Sequence, residues 1–156
     1  MLMEKLTMTV EAIKNGTVID HIPAGQGLNI LRHFRLDEAG NRITVGFNLS
    51  GSKNKRKDLI KIEDVLFNDE EASRIALFAP EVTVNVIENF KVVKKINPQL
   101  PTTIQGIFKC PNNNCASHGE PVEGTFFVKN NDGTTRLKCF YCEKSYPMDW
   151  VMSYRN

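Results

Sequence analysis

Residues 68–80 read NDEEASRIALFAP, and the reading of this stretch decides the fold. Asn68 followed three positions later by Glu71 is a capping-box pair. Asp69, Glu70 and Glu71 put negative charge at the positive end of a helix, and Pro80 stops it. Ala72, Ile75, Ala76 and Ala79 recur on one helical face. This helix stands between strand-like runs. Upstream, KDLIKIEDVLF (57–67) sets Leu59 and Ile60 before Ile62. Downstream, VTVNVIENFKVVKKI (82–96) holds two β-branched runs joined at Glu88-Asn89.

Further out, NRITVGFNL (41–49) alternates Ile43, Val45, Phe47 and Leu49, the pattern of a half-buried strand. AGQGLNILRHFRL (24–36) follows Pro23 and spaces Ile30 with Phe34 and Leu28 with Leu31, which suits a helix. TMTVEAI (7–13) and TVIDHI (17–22) are rich in β-branched residues and are broken by the turn pair Asn15-Gly16. The order is strand, helix, strand, strand, helix, strand, with hairpin extensions at both ends. That predicts an α+β chain whose N-terminal domain is a ferredoxin-like split βαβ unit, an antiparallel sheet with two helices on one face.

The segment NPQLPTTIQG (97–106) has two prolines and no period, and reads as a linker. A domain boundary near Pro98 to Pro101 divides the chain into 1–100 and 101–156. The chain has 156 residues, 41% hydrophobic and 24% charged, with a formal charge of +2. No apolar run approaches the ~18 residues of a membrane span, and the N-terminus lacks a signal-peptide core, so a cytoplasmic protein with no membrane partner is expected.

All four cysteines fall in the second domain: Cys110 and Cys115 as C-x4-C, Cys139 and Cys142 as C-x2-C. Reduced thiols paired in this way suit a tetrahedral metal, and zinc fits four thiolates. The residues between the pairs are enough for a strand hairpin, giving an all-β, zinc-ribbon-like domain. Two disulfides, or His118 as a competing ligand, are the alternatives. A four-thiolate site has no open position, so its role is structural. Lys109, Lys138 and Lys144 would offset its charge.

Catalytic signatures are absent from the first domain. GQGLNI has two glycines of a dinucleotide loop but not the third. Asp20 and His21, as neighbours on a strand, are expected to face opposite ways. The basic run KNKRKDLIK (53–61) reads either as a solvated loop or, with Asp20, His21, Lys61, Lys94 and Lys95, as a nucleotide site assembled on a sheet. In such a site a carboxylate accepts ribose hydroxyls and ammonium groups meet phosphates.

Five stretches taken together, VEAIKNGTVIDHIPAGQG (10–27), RKDLIKIE (56–63), APEVTVN (79–85), CPNNNC (110–115) and LKCFYCEK (137–144), resemble the regulatory chain of aspartate carbamoyltransferase. The resemblance implies a non-catalytic subunit of pyrimidine biosynthesis. Its N-terminal domain would bind CTP or ATP, and in family members often UTP beside CTP. Its zinc domain would dock on the catalytic chain, and regulatory dimers, paired through their N-terminal domains, would bridge catalytic trimers. Carried over by motif, Val10, Glu11, Ala12, Ile13 and Phe90 would meet the base. Asp20 and Lys61 would hold the ribose and base edge, and His21 and Lys95 the phosphates. Val18, Leu59, Asn85, Ile87 and Val92 would line the pocket, and Lys57 would join a second nucleotide or a metal-bridged pair. Asn112, Asn113, Asn114, Glu143 and Lys144 would be polar tips toward the partner.

Two other functions fit parts of the chain. One is a nucleic-acid-binding zinc ribbon. From Pro101 onward, however, six Lys or Arg face five Asp or Glu, too small an excess for a phosphate-tracking surface; no nucleic acid is expected. The other is a small enzyme using Asp20 and Lys61.

Overall fold

The computed structural model describes residues 12–131 and 134–154. The chain divides into two compact units, Met1–Gln99 and Leu100–Asn156. Among the described residues no helix is long and apolar enough to cross a membrane.

The first unit runs β1 (Gly16–Pro23), α1 (Gly27–His33), β2 (Ile43–Ser50), β3 (Arg56–Glu63), α2 (Asp69–Ile75), β4 (Thr83–Glu88) and β5 (Lys91–Ile96). Its sheet has the order β2-β3-β1-β4-β5, and every neighbouring pair is antiparallel. This is the split βαβ plan with β5 added as a hairpin. The expected strand at 7–13 lies almost wholly outside the described residues; of it, Ala12 is exposed and Ile13 buried.

The capping box forms as the sequence reads. Asn68 Oδ1 accepts the Glu71 N–H at 2.8 Å, and Glu71 Oε1 accepts the Asn68 N–H at 3.3 Å. Helix α2 buries Ala72 and Ile75 completely. Both helices lie on the sheet face that carries Ile19, Ile60, Ile62 and Val84, all buried. The rings of His33 and Phe34, at the end of α1, pack on Phe78 at 4.9 and 5.8 Å, which joins the two helical segments. On the same side Asp69 of α2 pairs with Lys94 at 3.1 Å. Burying each large aliphatic side chain is worth ~1.5–3 kcal/mol.

Two expectations change here. Helix α1 begins at Gly27 rather than near Ala24, because Gly25 and Gly27 are drawn onto a buried side chain described below. Phe47, expected on the buried face of its strand, is 49% exposed. A β-bulge at Phe47-Asn48, with Asn48 at φ 57°, breaks the period-2 alternation there. At the other end of the sheet, Gly16 (φ 146°) starts β1 where a Cβ would stand 2.0 Å from the Ile62 carbonyl oxygen. No other residue fits that approach.

The second unit is a four-stranded antiparallel sheet, β6 (Thr103–Gln105), β7 (Thr125–Asn131), β8 (Thr134–Cys139) and β9 (Ser145–Pro147), in that order. A short helix, α3 (Met148–Ser153), is added at the end and buries Val151. The linker is shorter than expected. Residues 103–105 pair with β7, and Ile104, opposite Phe126, is buried with it. A three-residue strand carries too little periodicity to be read through two prolines.

Candidate functional sites

The metal centre joins two tight turns. In the first, the Cys115 N–H donates to the Asn112 carbonyl at 3.0 Å, and the Asn112 side chain accepts the Asn114 N–H at 3.0 Å. In the second, the Glu143 N–H donates to the Cys139 carbonyl at 3.0 Å and the Cys139 N–H to the Lys144 carbonyl at 2.9 Å, with Glu143 at φ 61°. The four Sγ atoms lie within 4.8 Å of one another, and Cys110–Cys142 and Cys115–Cys139 are each 3.7 Å apart. That is far beyond a disulfide bond of ~2.05 Å. A tetrahedral ion with metal–sulfur bonds of about 2.3 Å has sulfur–sulfur edges of about 3.8 Å, so the four thiols fit such an ion. Cys110, Cys115 and Cys139 are buried.

As free thiols the four would differ. Burial raises the pKa of Cys110 and of Cys139. At Cys142 burial also raises it, but bonds from the Lys144 backbone N–H, the Asn112 side chain and its thiol neighbours outweigh this and bring it to about 7. His118 stands outside the set. Its Nε2 is 2.8 Å from the Cys110 carbonyl oxygen, a bond that braces the first turn. Ser117 reaches Cys115 Sγ with its hydroxyl at 3.1 Å; the sequence reading did not find it. Asn113, Asn114, Glu143 and Lys144 are exposed at the tips, while Asn112 is half-buried and spends its side chain on the turn.

In the first unit, strand register gathers the basic and acidic residues. Lys95 pairs with Asn85, Asn85 with Val18, and Val18 with Lys61, one row across four strands. At ~4.8 Å per strand the row spans about 14 Å. Its side chains share one face, opposite to Ile60 and Val84, and thus away from the helices. Leu59 is on this face one step along β3, Ile87 and Val92 pair one step along β4 and β5, and Asp20 is two residues beyond Val18. Lys57 meets Asp20 at 2.8 Å. Burial alone would raise the Asp20 carboxyl pKa; the Lys57 ammonium and the His21 backbone N–H hold it below its ordinary value. Lys61, Leu59 and Ile87 are each 8% exposed.

Asp20 and His21 do not alternate as plain strand neighbours. They form a bulge between the pairs Ile19–Ile60 and Ile22–Asp58, with His21 at φ 61° and its N–H on Asp20 Oδ1 at 2.7 Å. Phe90 is at the opposite end of the face. It is 64% exposed and follows Asn89 in a two-residue turn with both residues left-handed (φ 50° and 65°). That turn type calls for glycine at its second position. Backbone bonds from Phe90 to Lys14 (2.9 Å) and from Asn89 to the Asn15 side chain (3.1 Å) hold it, next to Ala12 and Ile13. Val10 and Glu11 lie outside the described residues.

Asp58 escaped the sequence reading. It is completely buried and accepts the N–H groups of Gly25, Gly27 and Asn48. The glycine-rich loop thus spends its amides on an internal carboxylate rather than on a phosphate. A charged residue in phase with Ile60 and Ile62 is the signal that would have found it.

Residues 8–99 match the family model described as the aspartate carbamoyltransferase regulatory chain, allosteric domain, and residues 102–151 the model of its metal binding domain. The aspartate carbamoyltransferase regulatory chain of Neisseria meningitidis serogroup B is 58% identical over 149 residues, covering 96% of this chain and 98% of that one. Those of Chromobacterium violaceum and Aeromonas hydrophila are 56% and 53% identical, covering 96% of this chain and 98% and 97% of theirs. With an allosteric domain followed by a metal-binding domain built on four clustered thiols, the chain belongs to the family of aspartate carbamoyltransferase regulatory chains.

Proposed function

We propose that this chain is the non-catalytic regulatory subunit of a cytoplasmic aspartate carbamoyltransferase, and that its first domain binds CTP and ATP on the sheet face away from the helices. The observation that carries the reading is the row Lys95–Asn85–Val18–Lys61, with the Asp20–Lys57 pair beside it. Cations for a triphosphate, a carboxylate for ribose hydroxyls and the apolar Val18, Leu59, Ile87 and Val92 converge there. From Gly16 to Asp20 is ~13 Å of strand, room to lay a base near Phe90 and Ile13 and phosphates near His21 and the lysines. UTP beside CTP, with Lys57 reaching the second nucleotide, is part of the same reading.

The metal is Zn2+, one per chain, bound by Cys110, Cys115, Cys139 and Cys142. The turns it joins form the surface that docks on the catalytic chain, through Asn112, Asn113, Asn114, Glu143 and Lys144. Two copies of the chain pair through their first domains and bridge catalytic trimers. Boundaries of 1–100 for the nucleotide domain and 101–156 for the docking domain accompany this reading.

The test is calorimetric titration of the full chain with CTP and ATP. Lys61→Ala, Lys95→Ala and Asp20→Ala should each weaken binding, by ~1.5–3 kcal/mol for a lost charge-assisted hydrogen bond, about tenfold or more in Kd. Unchanged binding in all three variants would move the site elsewhere.

A further inference from the structure

Asp58 is a completely buried carboxyl group on the opposite side of the sheet from the proposed nucleotide face. It stands on β3 in phase with Ile60 and Ile62, on the helix side of the sheet. Its carboxylate accepts three backbone N–H groups at 3.0 Å each: Gly25 and Gly27 on Oδ2, Asn48 on Oδ1. Bonds to an ionised acceptor are about twice as strong as neutral ones, and a buried N–H left without an acceptor is costly.

Each of these donors sits where regular structure breaks. On β2, Phe47 and Asn48 together oppose Asp58 alone, between the pairs Gly46–Leu59 and Leu49–Lys57. On β1, Asp20 and His21 together oppose Leu59 alone, between Ile19–Ile60 and Ile22–Asp58. Two bulges thus flank two consecutive residues of β3, an interior strand of the sheet. Strand β1 leaves its bulge through Ile22 and Pro23 and turns at once into Gly25–Gly27, which Asp58 holds. One side chain therefore ties the backbone on both sides of β3. Gly27 has room for little else, since a Cβ there would lie 2.9 Å from Asp58 Cβ and Oδ2. A bulge decides which face successive side chains take, because losing the extra residue flips everything beyond it.

We propose that Asp58 is a positioning residue, which fixes the paired bulges on either side of β3 and so sets where Asp20 stands on the opposite face. The inference rests on the nucleotide-site reading given above.

The test compares the full-length, metal-loaded chain with Asp58→Asn, alone and combined with Asp20→Ala. Asparagine keeps the shape but offers one oxygen and turns an amide donor toward the backbone N–H groups. Asp58→Asn should weaken CTP binding about tenfold and speed hydrogen exchange at His21 and Asn48, with the bound metal retained. With Asp20 already replaced, the same substitution should cost no more than about twofold, because its effect passes through Asp20. An equal loss in both backgrounds would mark general loosening and overturn the proposal, as would parent-like CTP binding. Should Asp58→Asn fail to fold, Gly27→Ala displaces the carboxylate from the other side and must show the same non-additivity. If the parent chain binds neither CTP nor ATP, the nucleotide reading falls. Exchange at His21 then decides about Asp58: acceleration in Asp58→Asn upholds the tether, and parent-like exchange refutes it.

Discussion

Among the described residues the first unit buries eighteen apolar side chains, from Ile13 to Ile87, and packs two helices on one sheet face. The second buries eight, of which three are Cys110, Cys115 and Cys139. Ile104, Phe108, Phe126, Leu137 and Val151 are the remainder, a small core for more than fifty residues. A unit of that size gains little from so small a core, and a structural metal is one way such units make up the difference. The first unit spreads its stability over many aliphatic contacts; the second concentrates it in one centre. The difference has a use. A sheet held by its helix side leaves its other face available to carry charged residues, whereas a unit gathered around four sulfurs holds its turns, and the polar tips on them, in fixed positions.

The strongest way to break this comparison is to remove the metal. Structural sites of this kind contribute ~10–16 kcal/mol in small domains, more than the second unit can replace. Chelation should unfold the region after about Gly106 and leave the first unit folded. Trp150, the only tryptophan of the chain, packs on Tyr146 at 5.1 Å in the second unit and reports on it alone. Its fluorescence should change on chelation while far-ultraviolet circular dichroism keeps the first unit's cooperative melt. A parent-like Trp150 signal after complete chelation would mean that the small core suffices.

The converse substitution sharpens the comparison. Ile60→Ala removes a completely buried side chain on the helix-covered face of β3. The expected loss is ~2–5 kcal/mol, confined to the first unit. Thermal unfolding followed by circular dichroism should fall by many degrees, with metal content and Trp150 fluorescence unchanged. Simultaneous loss of both signals would show that the units do not hold themselves independently.

The smallest effect concerns Asp20 and acid. Its pKa in the folded chain lies below the ordinary value of 3.8, held there against burial by Lys57 and the His21 N–H. A carboxyl lowered on folding contributes stability that is fully present above its unfolded pKa and is lost as pH falls through the folded one. Its contribution should therefore begin to fade below about pH 4 and be gone once pH has passed below the folded pKa. Lys57→Ala should shift the acid-unfolding midpoint of the first unit to higher pH. It should cost no more than ~1 kcal/mol near neutrality, since the pair is partly solvated. An acid limb identical to the parent's would show that the pair contributes nothing.

Much of this molecule could be read from local pattern. The capping box at Asn68 and Glu71, the alternation of β-branched residues and the turn residues are short-range signals, and all act within a few positions of where they are written. They were enough to order the elements into a split βαβ plan. Four cysteines as C-x4-C and C-x2-C likewise announce a metal centre, because thiols so spaced have few other uses. Tertiary structure alone decided the rest. Which residues of the first unit share a face depends on register between strands far apart in sequence, and no local pattern sets the pairing of Val18 with both Lys61 and Asn85. The bulges at Asp20-His21 and Phe47-Asn48 arise in the pairing of β1 and β2 with a strand some ten to forty residues away, so the expected alternation failed at Phe47 and between Asp20 and His21. Asp58 itself looked like one more charge in a basic run. Its burial follows from three N–H groups converging on it from two separate segments, and that convergence exists only once the sheet has closed around it.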